Sequence, residues 1–294
     1  MCMLYLFVNP KPKADEYLLV IANVRDEIFV RPTRGCHFWD RNPQIVGPMD
    51  LAEGRAGGTW MGMNVTGKFA SLLNIIQPLD DVSGDKLPRG NLVVRYLENQ
   101  QDGMTYLKDV RRKGDQFDRF LLVTVDVRPS AQDARASCYT NAQDAVPMQL
   151  TPGFHVFGNS DPRHPWRKVT ETKHLFADTV LANAKVGHKR DLVKGLFGLM
   201  DSTTEHYPDE QLIRDAEGRS EESLRKLSSV FVRVDEECFG SRTHSIILVD
   251  ARGGVDYVER TLQQPISLDS EVQPWVTTHL QFGIQDPGTL ISRL

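Results

Sequence analysis

No stretch of the sequence strings together the roughly 18–20 apolar residues that a helix needs to cross a bilayer. The apolar start, Met3 to Val8, is too short for a signal-peptide core and has no basic segment before it. A mitochondrial presequence would be rich in arginine and poor in acids, whereas Asp15 and Glu16 come early. Cysteine is scarce: Cys2, Cys36, Cys138 and Cys238 make no CxxC or CxxCH spacing, so neither a zinc site nor covalent haem attachment is expected. A chain of 294 residues needs no disulfide staples, and a reducing, cytoplasmic setting is the expectation. Basic clusters are missing too. The 35 lysines and arginines are dispersed among 39 acids, net charge -4, which removes the electrostatic footprint of a nucleic-acid partner. No basic amphipathic helix marks a membrane-surface anchor.

What is present is an ordinary globular composition, 40% hydrophobic and 25% charged, able to bury a substantial core. Met3–Val8 and Tyr17–Ala22 read as short buried strands joined by the proline-rich "NPKPKADE". A loop-like region follows "RDEIFVRPTRGCHFWD", and then "TWMGMNV" and "KFASLLN" form a hairpin around Thr66-Gly67. Ser83 to Gly90 is a polar loop, and Asn91–Arg112 carries helical spacing broken at Gly103. Strands are expected at 119–127, 136–140 and 154–159. Pro165 then opens one long helix with Trp166, Val169, Phe176 and Val180 on a face, and Asp191–Met200 is a second. Thr203–Ser228 is polar and charged, a surface excursion expected to be disordered. "VFVRV", "SIILVDA" and "VDYVERTL" close the strand pattern, the last two joined at Gly253-Gly254. Strands at both ends and helices between, without steady alternation, predict an α+β protein of mainly antiparallel sheets in a single domain, 1–294.

Chemistry concentrates at position 2. With Met1 removed, Cys2 would carry a thiol and an α-amine of pKa roughly 8 on one residue, nucleophile and base together. Such a thiol needs a nearby cation and donors for a developing oxyanion. Arg25, Asp26, Asn74, Asn159 and Arg242 all stand at the ends of apolar runs, where side chains can converge on one rim. Taken singly, each has a plainer role: a solvated turn, a backbone cap or a surface ion pair.

The stretches "MCMLYLF", "ANVRDEIFVRPT", "EGRAGGTWMGMNVTGKFASLLN", "LTPGFHVFGNS" with "PWRKV", and "GSRTHSIILVDARGGVDYVER" together resemble the Transport and Golgi organisation 2 family, also called the NRDE-motif family. The family is similar to N-terminal-nucleophile hydrolases, which implies a four-layer α-β-β-α sandwich. The resemblance implies Cys2 as nucleophile, Arg25 and Asp26 at its thiolate and ammonium, Asn74 and Asn159 as pocket donors, and Arg242 as a second site arginine. One departure matters: Val24 occupies the place of the motif's asparagine, and Asn23, one residue earlier, faces the other side of a strand. The final strand also departs slightly, with His244 and Ser245 where relatives often carry asparagine and threonine.

The same resemblance implies a soluble haem chaperone that moves haem from haem-rich organelles, with mitochondrial or Golgi association and links to acyl-CoA and lipid. Haem would be cargo rather than a permanent cofactor. Candidate ligands are Cys2, Cys36 and His37, the last two in "RGCHFWD", with Arg31 and Arg34 for propionates. The alternatives are an amide hydrolase using Cys2, and an acyl-CoA or lipid binder. Contact with a membrane or a haem transporter would be transient.

Overall fold

The computed structural model describes residues 2–76, 86–268 and 273–285. Its first strands, β1 (Met3–Val8) and β2 (Tyr17–Ile28), are almost wholly buried: β1 and the first half of β2 are apolar runs, and the second half of β2 buries Asn23, Arg25 and Asp26 as well. They pair antiparallel, and β2 pairs in turn with β12 (Phe239–Asp250). With β10 (Gly153–Phe157), β11 (Arg233–Val234), β13 (Gly254–Leu262) and β14 (Trp275–Gly283) they make one seven-stranded sheet. The second sheet runs in sequence order: β3 (Thr33–Phe38), β4 (Ile45–Asp50), β5 (Met61–Asn64), β6 (Lys68–Asn74), β7 (Phe120–Arg128), β8 (Asp133–Thr140) and β9 (Met148–Gln149). Every strand pairing described is antiparallel.

Strand alternation sorts the core. Leu4, Leu6, Leu19 and Ile21 point between the sheets to meet Phe69, Val123 and Val125. Met3, Tyr5, Val20 and Ala22 point outward, under α3 (Arg167–Glu171), α4 (Lys173–Ala182) and α5 (Lys189–Met200). The other sheet's outer face packs against α1 (Gly90–Glu98) and α2 (Gly103–Arg111). The chain is therefore an α+β protein, a four-layer α-β-β-α sandwich of two antiparallel sheets. No helix among the described residues is long and apolar enough to cross a membrane.

Several elements differ from expectation. "IVGPMD" is strand β4 rather than loop: Pro48 gives no donor, yet Gly47 must be glycine because a Cβ would lie 2.9 Å from the Met61 carbonyl oxygen. "TRGCHF" is also a strand, with its register shifted between Arg34 and His37. The helix expected from Pro165 is two, with Thr172 between α3 and α4. Segment 203–228, expected to be disordered, holds α6 (Glu210–Asp215) and α7 (Glu221–Leu227), capped by Asp209 and Ser220. Leu212, Ala216, Leu224 and Leu227 close over Trp166, whose indole N–H donates to Asp215 at 2.8 Å. Strand β14 was not anticipated. Of the polar loop expected from Ser83, residues 83–85 lie outside the described residues.

Candidate functional site

Where β1 begins and β2 passes its midpoint, the inner faces of the sheets part around a cavity of about 200 Å³. Cys2, Arg25 and Glu27 line it from the β1–β2 side, Arg31 from the turn after β2, and Trp60 and Asn74 from the side of β5 and β6. Cys2 packs against the inter-sheet core, its Sγ 3.9 Å from the Asp26 carbonyl oxygen. Burial pushes this thiol up from its ordinary value; the Asp26 charge adds to the push and Arg25 opposes it.

Arg25 follows Ile21 and Asn23 on the inward face of β2. Its guanidinium lies 4.0 Å from the Trp60 ring centroid, and Nη2 donates to Glu27 at 3.3 Å. The side chain is only 5% exposed, and Nη1 is buried without a partner. Burial lowers the Arg25 pKa, an effect that Glu27 and Cys2 oppose. Asp26, the next residue, also borders the cavity, and Oδ1 accepts a 2.6 Å bond from Ser241.

Two residues expected on the rim sit elsewhere. Arg242 does not line the cavity. It occupies a bulge in β12, between the pairings of Ser241 with Asp26 and Thr243 with Arg25, and Nη1 donates to the carbonyls of Ile28 and Arg31. Burial, then repulsion from Arg25 and Arg31, brings its pKa down to about 10 despite Glu27. Asn159 lies behind the wall, where Nδ2 donates to the Asn74 carbonyl at 2.6 Å and its own carbonyl accepts from Ile76 N–H. Asn159 thus ties the end of β6, and with it Asn74, to the opposite sheet.

Val24 packs outward among the helix-facing residues. Asn23 is buried on the inner face, Nδ2 donating to the Met3 carbonyl at 2.9 Å and Oδ1 without a partner. Cys36 and His37 do not share a face. The Cys36 thiol enters the core between the sheets, where burial and then Glu259 raise its pKa far above the thiolate range. The His37 ring turns back to the Gly35 carbonyl at 2.8 Å. Arg34 is engaged with Asp40 at 2.7 Å on the surface. Among the described residues no group of three His, Cys, Asp or Glu side chains could hold a metal.

Other residues at the site were not singled out from sequence. Trp60 supplies the face for Arg25, and Arg55 and Arg89 stand on the far side of the cavity. Lys168, fully buried on α3, donates to the carbonyls of Leu227 and Ser229, both at 2.8 Å. Its charge interacts with those of Asp26 and Cys2. Glu259 is buried between the sheets, accepting from Cys36 N–H at 2.6 Å and Ser245 Oγ at 2.9 Å. Strand alternation through Val255 and Tyr257 was the available signal for Glu259, since both point inward and it follows in phase.

Residues 1–264 match the sequence profile of a family described as Transport and Golgi organisation 2. The "Transport and Golgi organization 2 homolog" of Mus musculus is 32% identical over 286 residues, covering 97% of this chain and 100% of that protein. The "Transport and Golgi organization protein 2" of Drosophila melanogaster is 27% identical over 292 residues, covering 97% of this chain and 99% of that protein. Among solved structures, a Caenorhabditis elegans ortholog of N-acylethanolamine-hydrolyzing acid amidase aligns with a TM-score of 0.48 at 12% identity, covering 84% of this chain and 92% of that one. A mutant conjugated bile acid hydrolase from Clostridium perfringens aligns at 0.41 and 11% identity, covering 97% of each.

Proposed function

The chain belongs to the Transport and Golgi organisation 2 family, and we propose that this member uses Cys2 to hydrolyse a non-peptide amide bond. The observation that carries the proposal is that Cys2 and a buried arginine with an unpartnered Nη1 face one cavity. A guanidinium N–H left without an acceptor in a buried site is costly unless a ligand oxygen fills it.

In this proposal, removal of Met1, which lies outside the described residues, frees the α-amine of Cys2. The amine takes the thiol proton and the thiolate sulfur attacks the amide carbon. The carbonyl oxygen becomes an oxyanion and accepts from Arg25 Nη1. As the C–N bond breaks, the α-ammonium returns its proton to the leaving nitrogen and a thioester remains on Cys2. Water, deprotonated by the α-amine, then attacks the thioester, releasing the acid and restoring the thiol. Asp26, fixed by Ser241, is placed to stabilise the α-ammonium between these steps.

Intact mass of the purified chain tests the first requirement, and turnover across a panel of N-acyl amides tests the second. Loss of Met1 is expected, with turnover abolished in Cys2→Ala and strongly reduced in Arg25→Lys. Retained Met1, or turnover that survives Cys2→Ala, would sink the mechanism.

Haem carriage, with cytoplasmic residence and mitochondrial or Golgi contact, is implied by family resemblance and remains a separate proposal. The divergent faces of Cys36 and His37 do not favour a joint ligand pair there. A saturable Soret shift on titration with haem, beyond that of an unrelated protein, would support it. Acyl-CoA or lipid binding is read by native mass spectrometry of the same preparation.

A further inference from the structure

Across the cavity from Cys2 stands the N-terminus of α1, a nine-residue helix that begins at Gly90. The first N–H groups of any helix lack intrahelical partners and carry its positive pole. Side chains usually answer this with a Ser, Thr, Asp or Asn cap, or with an acid in the first turn. Here there is neither: the N-cap residue is Arg89, no side chain caps the helix, and its first turn holds no acid. Instead of an anion, the position adds another cation.

The cations around it are also short of partners. Arg89 donates to the Arg119 carbonyl at 2.7 Å, and among the described residues neither Arg89 nor Arg55 has a carboxylate within ion-pair distance. Burial, and after it repulsion from Arg55 and Arg31 against the pull of Asp118, lowers the Arg89 pKa. By contrast, carboxylates that line the cavity are engaged: Asp50 and Glu27 with Arg31, and Glu27 also with Arg25. Among the described residues, an uncapped helix pole and two arginines without acids thus line the same cavity as the 5%-exposed Arg25 side chain, whose Nη1 has no partner. Arranged cations of this kind, held without a counter-ion, are complementary to a compact oxyanion.

We infer that the α1 N-terminus, Arg55 and Arg89 form an oxyanion-group subsite, so that the ligand of this cavity carries a phosphate or carboxylate at the end remote from Cys2. The inference extends the proposed amide hydrolysis by naming its substrate class: an amide with an anionic tail, its carbonyl at Arg25 and its charge at α1. Trp60 forms the apolar wall between these two ends.

Inorganic phosphate and, separately, acetate are the probes, each titrated into the full chain against chloride at equal ionic strength. Thermal midpoint is the readout, repeated with Cys2→Ala, Arg55→Gln and Arg89→Gln. A rise with phosphate alone assigns a phosphate tail; a rise with acetate assigns a carboxylate tail. Either is expected to weaken by about tenfold in apparent affinity in each arginine variant. Arg55 is exposed and makes no described side-chain bond, so its variant reports on the subsite even if Arg89→Gln, which gives up the Arg119 carbonyl, folds poorly. Equal responses in wild type and Arg55→Gln, or no response to either anion, would overturn the subsite. Anion binding that persists in Cys2→Ala without turnover in any variant would instead leave the subsite standing and remove the hydrolase mechanism.

Discussion

Arg25 lies against the indole of Trp60, 4.0 Å from its centroid, with both side chains nearly closed to solvent. A desolvated cation over an aromatic face is worth about 2 kcal/mol, and the contact fixes which guanidinium edge meets the cavity. Trp60→Leu removes that face while keeping an apolar side chain. Its kcat/KM for Cys2-dependent turnover is expected to fall by roughly tenfold or more, whereas Trp60→Phe, which retains a ring, should lose far less. If both variants lose the same amount, Trp60 matters for volume and not for orienting Arg25.

Arg242 acts one layer further back. Its Nη1 joins the Ile28 and Arg31 carbonyls across the turn that delivers Arg31 to the cavity. Arg242→Met is isosteric for most of the chain but removes both charge-assisted donations, leaving each carbonyl one neutral donor, the Arg31 N–H for Ile28 and the Thr33 hydroxyl for Arg31, a loss of roughly 1–3 kcal/mol in all. Urea unfolding should register that loss. Kinetics should show KM rising with a smaller change in kcat, because Arg31 in the cavity wall is displaced while Cys2 and Arg25 keep their places. A fall confined to kcat would return Arg242 to the reacting centre.

How much of this was legible in advance follows from the physics of each element. Strands β1 and β7 and the apolar halves of β2 and β12 announce themselves because residues buried on both faces are mainly apolar there, whereas the buried polar halves, residues 23–26 and 240–244, do not. Strand β14 does not: its residues alternate between half-buried and exposed, and their pairing with β13 is a tertiary fact. Helices α6 and α7 looked like disorder because few apolar residues on each suffice to cover Trp166, leaving the charged remainder in water. At the site, Cys2, Arg25 and Asp26 could be read from position and resemblance. Arg242 could not, because a bulge in β12 re-aims its side chain and a bulge leaves no reliable mark in one sequence. Trp60, Arg55 and Arg89 reach the cavity from the far sheet and its helix, a juxtaposition that only the folded chain makes.

Lys168 carries a testable titration. Burial brings its pKa down to about 8, with Asp26, Cys2 and Asp209 pulling the other way. The unfolded chain therefore binds more protons than the folded one between about pH 8 and its ordinary lysine value near 10.4. Stability lost to this residue below pH 8 is recovered as pH rises through that window, by roughly 3 kcal/mol at most. Lys168→Met lacks the recovery but also strands the carbonyls of Leu227 and Ser229. Its urea midpoint should be lower than wild type at all pH values, with the gap widening from about pH 8 to about pH 10. A constant gap would mean that Lys168 titrates alike in both states.

Glu259 titrates in the opposite sense, and nearer neutrality. Burial raises its carboxyl to about 7, against the Cys36 N–H, the Ser245 hydroxyl and the Arg25 charge, which favour the ionised form. Because the folded pKa lies above the ordinary 4.5, the contribution to stability is full below that value and is lost as pH rises through about 7. The loss amounts to roughly 3 kcal/mol once complete. Glu259→Gln keeps an acceptor for the Cys36 N–H, which sits in the shifted register of β3, and removes the titration. Urea midpoints at about pH 5 and about pH 8 should fall for wild type and stay level for the variant, so that Glu259→Gln becomes the more stable protein on the alkaline side. Parallel midpoints would show that Arg25 and the two donors already hold the carboxylate ionised at the lower pH, and the buried charge would then be a fixed counterweight to Arg25 at every pH where Cys2 works.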